Sequence, residues 1–152
     1  MTVKRDLSYL RWRFFNHPFL KYRFISAYDD FKLKGYLIWR TEISPQIKIA
    51  RIIDVFCEED TEDFLIKTFL TEAMREQADA ADFILSGDYY AKTLLKNGFV
   101  NGLEPKYQNF PILFSPISKK KTFINIAYDF GAPITDCFLT KADGDQDRLN
   151  PF

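Results

Sequence analysis

Apolar and polar positions along the chain follow two rhythms. Across residues 47–56, Ile47, Ile49, Arg51, Ile53 and Val55 alternate with Lys48, Ala50, Ile52, Asp54 and Phe56, which predicts a strand with one mostly apolar face and one mixed face. Across residues 64–80, Ile66, Phe69, Leu70, Ala73, Gln77 and Ala80 share one helical stripe, with Thr61 placed as N-cap and Glu62 and Asp63 in the first turn. Upstream, Leu7, Leu10 and Phe14 recur at helical spacing within residues 6–16, and His17-Pro18 stops that helix. Residues 22–28 and 33–40 read as strands of a hairpin joined through Asp29-Asp30. Downstream the pattern predicts a short strand over 82–86, a short helix over 89–96 stopped by Asn97-Gly98, and an extended piece starting at Phe99-Val100. Residues 110–114 and 135–140 read as strands and 118–121 as a solvated loop, while 123–130 stays open between helix and irregular structure.

With 152 residues, no repeat and no low-complexity linker, the chain reads as a single domain over 1–152 with a dense aromatic core, since sixteen residues are Phe. No apolar run approaches the ~18 residues of a spanning helix, and the start of the chain has no apolar signal region. Membrane insertion is therefore not expected. Two cysteines, Cys57 and Cys137, without a CxxC pair indicate neither a disulfide framework nor a zinc site, which leaves a reducing cytoplasm as the expected location.

The formal net charge is zero, but the charges are segregated: residues 1–52 hold eleven Lys or Arg against four Asp or Glu, whereas residues 53–88 hold two against eleven. Either a basic binding face or two mutually neutralising segments would give this distribution. The acidic half is densest in Cys57-Glu58-Glu59-Asp60-Thr61-Glu62-Asp63, between the predicted strand and the long helix. A strand-to-helix turn commonly binds phosphate through free helix N–H groups, yet this one carries five carboxylates and no glycine. Its carboxylates suit a helix start, and Glu58, Glu59 and Asp60 could also face a basic partner or an amino substrate. Adjacent acids alone do not make a metal site.

Asp143, Asp145 and Asp147 match the first, third and fifth positions of a calcium loop, but Arg148 stands where the loop needs glycine. No metal is expected. His17, the single histidine, reads as a turn residue, and Cys57 as a thiol buried at the strand end. Arg11-Trp12-Arg13-Phe14-Phe15 and Lys21-Tyr22-Arg23 interleave bases with aromatics as single-strand nucleic-acid binders do. No named RNA-binding motif accompanies them and the aromatics are expected to face the core, so nucleic acid is disfavoured.

Leu94-Leu95-Lys96-Asn97-Gly98-Phe99-Val100 resembles the helix and Gly-Phe strand entry of the GNAT fold, the N-acetyltransferase superfamily. Arg11-Trp12-Arg13, His17-Pro18-Phe19, Tyr22-Arg23 and the Gly35-Tyr36 strand resemble a divergent branch of GNAT-like proteins, some in bacterial surface-polysaccharide clusters. Asp143-Gly144-Asp145-Gln146-Asp147-Arg148 resembles the C-terminal end of that branch. The resemblance implies an α/β fold with a GNAT-like mixed, mostly antiparallel sheet of about six or seven strands and helices on both faces. In that branch such a segment is often the second half of a longer two-domain protein.

The chain departs from the family at its chemistry. Family enzymes hold the CoA pyrophosphate with a basic residue or Gln followed by spaced glycines; Asp60, Thr61, Asp63 and Leu65 stand at those positions, with Glu62 between them. The frequent general-acid tyrosine corresponds to Leu94, which has no proton to give. Tyr89 and Tyr90 replace it only if the helix is offset by a turn. The resemblance thus implies a degenerate GNAT-like domain, without cofactor, that acts as structural or acceptor-binding partner of a catalytic half or assembles as a homo-oligomer. The alternative is a divergent N-acyltransferase taking acetyl-CoA or another acyl-CoA and acting on an amine.

Overall fold

The computed structural model describes residues 3–107, 137–144 and 147, together with the backbone of 113–114 and 117–118. Helix α1 (Leu7–Leu10) starts at Asp6, whose carboxylate accepts from the Tyr9 N–H at 2.9 Å, and continues into a π-helical turn, Arg11–Phe15. Strands β1 (Arg23–Asp29), β2 (Lys32–Ser44) and β3 (Ile47–Cys57) form an antiparallel meander, followed by α2 (Glu62–Arg75), β4 (Ala80–Phe83) and α3 (Ala91–Lys96). The main sheet runs β1-β2-β3-β4, with β4 parallel to β3; β5 (Leu113–Phe114) and β6 (Ile117–Ser118) pair separately. This mixed α/β arrangement has four described strands in its main sheet, and the expected six or seven in one sheet are not reached among the described residues.

Helices cover both faces. On one, Leu37, Trp39, Ala50, Ile52 and Val55 meet Leu65, Ile66, Phe69 and Ala73 of α2 and Leu94 of α3, with Trp39 edge-on to Phe69 at 5.4 Å. Each such buried side chain contributes ~1.5–3 kcal/mol relative to exposure. On the other, Tyr36, Ile38 and Ile53 pack against Phe14, Tyr9 and Leu10.

Both faces of β3 are therefore buried, so its simple alternation does not hold. Ile38 pairs with Asp54 and Trp39 with Ile52, which leaves Ile53 as an extra residue in a bulge. The bulge turns Ile53 and Asp54 to the same side and returns Val55 to the α2 side. Gly35, opposite Cys57, is where the strands approach most tightly: a Cβ there would lie 2.3 Å from the Cys57 Cβ.

Several predicted boundaries shift. Helix α2 ends at Arg75, not at residue 80, because Lys48 captures the chain beyond it: its N–H donates to the Asp79 carboxylate and its carbonyl accepts from the Asp79 N–H, at 2.7 and 2.8 Å. Ala80 and Ala81 are thereby drawn into β4 against Ile49 and Ala50, two residues ahead of the predicted strand. Thr61 does not cap α2, since its backbone is already helical and its hydroxyl makes no capping bond. Helix α3 starts at Ala91 because Tyr90 adopts a left-handed backbone, φ +61°. Phe99-Val100 belongs to no strand, and Ser118 lies in β6 rather than in a loop. Within the predicted strand 135–140, Cys137–Leu139 are irregular and Thr140 forms a single bridge to Leu85. The readings for 110–112, 119–121, 123–130 and 135–136 lie outside the described residues.

Candidate functional site

The acidic turn joins β3 to α2, and its charges are answered from two sides. Glu58 accepts from Lys34 Nζ at 2.7 Å and lies 3.0 Å from Lys32 Nζ; these ammonium groups, Lys34 first, hold its carboxyl below the usual carboxylate range. Asp63 accepts from Lys67 at 2.7 Å, from the Asn97 amide at 2.8 Å and from Lys96 at 3.2 Å, and these bonds hold its carboxyl far down in the same order of contribution. Asp63 thus ties the start of α2 to the end of α3. Glu62 lies at 3.5 Å from the Thr93 hydroxyl of α3. Asp60 takes a left-handed backbone, φ +67°, a cost usually met with glycine.

Between this turn and the β1–β2 hairpin lies an open groove of about 370 Å³, lined by Asp29, Glu58, Glu59 and Asp60, by Lys34 on Glu58, and by Tyr28 and Phe64. Of the expected partner face, Glu58 is thus engaged by lysines while Glu59 and Asp60 border open space.

A second constellation sits where β3 runs beyond β4. The two strands pair only from Ile49–Ala80 to Ile52–Phe83, and past that point a single bridge joins Leu85 to Thr140. The Ser86 N–H donates to the Leu139 carbonyl at 2.9 Å, and the Leu139 N–H donates to the Ser86 hydroxyl at 2.8 Å. Asp54, fully buried here, accepts from Arg5 Nε at 2.9 Å, Arg5 Nη2 at 3.1 Å, the Tyr36 hydroxyl at 3.0 Å and the Thr140 hydroxyl at 2.8 Å. Arg5 also reaches Asp143 at 2.7 Å.

Tyr89 and Tyr90 lie against the same segment, their rings edge-on to Phe138 at 5.1 and 5.7 Å. Tyr90 is one helical turn ahead of Leu94, whose N–H donates to the Tyr90 carbonyl at 2.8 Å. Leu94 packs in the core, whereas the Tyr90 hydroxyl lies 3.8 Å from the Cys57 thiol. Burial raises the Tyr90 phenol well above its ordinary value, so it keeps its proton at neutral pH. The Cys57 thiol is pushed up by burial as well; it is half-buried rather than fully enclosed as expected, and it is not a thiolate nucleophile.

A further charged layer locks the C-terminal segment onto the sheet. Arg51 bonds Asp82 and Glu42 at 2.8 and 2.6 Å, Arg40 bonds Asp147 at 2.7 Å, and the fully buried Lys141 bonds Asp82 at 2.8 Å. Burial pulls the Lys141 ammonium down to about 8. Asp82, which burial alone would raise, is held below the usual range by Lys141 and Arg51. Asp143 and Asp147, singled out by their spacing, are thus engaged with arginines of the fold.

Sequence reasoning missed the Asp54 cluster. Its signal was an acid within Ile52-Ile53-Asp54-Val55, read as part of a mixed face because the bulge was not anticipated. His17 is a turn residue, Nδ1 accepting from the Phe19 and Leu20 N–H groups at 3.3 and 2.9 Å. The expectation that the aromatics of the N-terminal basic cluster face inward holds for Phe14 and for the half-buried Tyr22, whose ring meets it at 5.1 Å, but not for Trp12 and Phe15, which are exposed because the short π turn has only one buried position. Among the described residues no helix is long and apolar enough to cross a membrane, and no cluster of three His, Cys, Asp or Glu could hold a metal ion.

No protein-family model and no curated protein matches the chain. Among solved structures, it is similar to a ribosomal-protein-alanine N-acetyltransferase from Brucella melitensis biovar Abortus 2308, at 12% identity and TM-score 0.45 over 55% of this chain and 67% of that one. It is also similar to a structure described as a probable acetyltransferase, at 16% identity and TM-score 0.48 over 71% of this chain and 68% of that one. These are likenesses of fold and assign no residue a role.

Proposed function

We propose that this chain is a GNAT-like domain that holds no CoA pyrophosphate at its β3–α2 junction and serves as the structural or acceptor-binding partner of a catalytic half. The observation that carries this reading is the internal use of the junction. Glu62 and Asp63 turn from the start of α2 to α3, Glu58 turns to Lys32 and Lys34, and a left-handed Asp60 stands where backbone would have to approach a diphosphate. A diphosphate would meet like charge at short range there, and the lysines seen beside the turn are already engaged: Lys32 and Lys34 share Glu58, and Lys67 and Lys96 share Asp63. The residues present do not fit the group. The neighbouring groove, with Glu59 and Asp60 beside Tyr28 and Phe64, supports contact with a cationic amine, because carboxylates and ring faces both attract ammonium.

One observation favours the second reading, an acyl-CoA-dependent N-acyltransferase acting on an amine. Tyr90 carries a protonated hydroxyl beside Cys57 at the end of β3, one turn ahead of Leu94, which is the offset a substitute proton donor requires.

A thermal-shift titration with CoA and acetyl-CoA separates the readings. Ligand at ~100 times its dissociation constant adds ~2.7 kcal/mol, a rise of roughly 5–10 °C for a domain of this size. We expect no shift. A saturable, concentration-dependent rise would overturn the non-catalytic reading, and its enhancement by Asp60→Arg would place the coenzyme at this turn.

A further inference from the structure

Strand β1 is an edge: among the described residues it pairs only with β2. Soluble proteins usually blunt such edges with proline, inward charge or an interior lysine, since open N–H and C=O groups template further pairing. Strand β1 carries none of these over its seven residues, and its one irregularity is a register shift against β2 between Ala27 and Tyr28, where Lys34 is the extra residue on β2. Its sequence, Arg23-Phe24-Ile25-Ser26-Ala27-Tyr28-Asp29, instead reads the same from both ends in chemical type: charge, aromatic, apolar, Ser, apolar, aromatic, charge, with opposite signs at the two ends.

We infer that β1 pairs antiparallel with β1 of a second copy of this chain about a two-fold axis at Ser26. This goes beyond the proposed function: it adds a second copy at this edge and leaves the catalytic half as a separate partner. In that register Arg23 faces Asp29 of the second copy, Phe24 faces its Tyr28 and Ile25 faces its Ala27. Two opposite-charge pairs and two aromatic pairs form at once, each of a kind that stabilises facing strands. Antiparallel self-pairing requires such a palindrome, because an isologous contact meets its own residues in reverse order. An unrelated strand would need only the backbone.

The side chains are placed for this. Asp29 is 76% exposed, and Lys34 only approaches it, at 4.0 Å. Arg23 is 45% exposed and already oriented, with its guanidinium 4.9 Å from the Trp39 ring centroid and paired with Glu76, so Asp29 of the second copy would add a further carboxylate to a positioned cation. Ser26 is exposed and small, which suits close approach at the axis. Phe15, exposed and stacked on Phe24 at 4.3 Å, extends the apolar strip beside the seam. The resulting sheet would be continuous through both copies, with both α2 helices on the same side.

Light-scattering mass measured over a dilution series tests the inference. The wild-type chain is expected at twice its own mass. Asp29→Arg should weaken the dimer at least ~10-fold by setting like charges against Arg23, and Arg23→Asp should weaken it similarly. The Arg23→Asp/Asp29→Arg double variant should recover most of the loss, because the swapped charges again face each other. Arg23→Asp also loses its contact with Glu76, so Ser26→Arg, at an exposed site on the axis, serves as an independent breaker. A single-chain mass at every concentration, a dimer indifferent to both Asp29→Arg and Ser26→Arg, or a double variant no tighter than the singles would each overturn the pairing. The CoA titration is separate: a monomer that ignores CoA defeats this inference and leaves the proposed function standing, and a dimer that binds CoA does the reverse.

Discussion

Removing the Asp54 carboxylate should be the most damaging small change to this fold. Asp54→Ala takes the acceptor from the Tyr36 and Thr140 hydroxyls and two bonds from Arg5, all within a fully buried cluster. The Tyr36 hydroxyl left without this acceptor costs ~1–3 kcal/mol, whereas Thr140 keeps Asp143 at 3.4 Å, and breaking a buried ion pair by deleting one partner costs ~3–5 kcal/mol. These overlap, and Arg5 keeps Asp143 and the Val3 carbonyl, so a net loss of ~4 kcal/mol is expected. Urea unfolding followed by circular dichroism reads this directly: with a slope of ~2 kcal/mol per molar, the midpoint should fall by ~2 M at an unchanged slope. The companion variant Arg5→Met/Asp54→Leu should lose less than Asp54→Ala alone, because it leaves no uncompensated charge. A midpoint change below ~0.5 M for Asp54→Ala, about 1 kcal/mol, would show that the cluster is solvated and refute the reasoning.

Two further outcomes follow from particular contacts. Gly35→Ala should cost more than ~2 kcal/mol in the same assay, since its Cβ would lie 2.3 Å from the Cys57 Cβ and 2.7 Å from its Cα, and backbone must separate. A cost near zero would mean that β2 and β3 lie farther apart at Cys57. Lys141, lowered to about 8 in the fold against about 10.4 when unfolded, sheds its proton in the native state first. Between those values the unfolded chain binds more protons, so stability relative to Lys141→Met should rise with pH, by up to about 3 kcal/mol. A difference between the two proteins that stays flat from pH 7 to about 10 would contradict a buried, desolvated ammonium.

Much of the fold was legible because β1, β2, β3 and α2 are long enough for periodicity to declare itself. The acidic turn was legible as a place, and as one unsuited to phosphate. Its engagement with Lys32, Lys34, Lys67 and Lys96 was not, because those lysines reach it from other elements or from the next helical turn. Thr61 looked like a cap from its position alone, whereas capping depends on a backbone angle that the turn does not adopt.

By itself, then, the sequence determined the strand and helix periods, the segregation of charge, the absence of glycine at the β3–α2 turn and the palindrome of β1, all of which are local patterns. Only the tertiary structure decided that β3 is buried on both faces, that a bulge at Ile53 turns Asp54 inward, and that Tyr90 rather than Leu94 carries its side chain to Cys57. The physical reason is that each depends on contacts between residues distant along the chain, most plainly at Asp54. A buried charge is tolerable only with partners, and those of Asp54, namely Arg5, Tyr36 and Thr140, lie 49, 18 and 86 residues away along the chain.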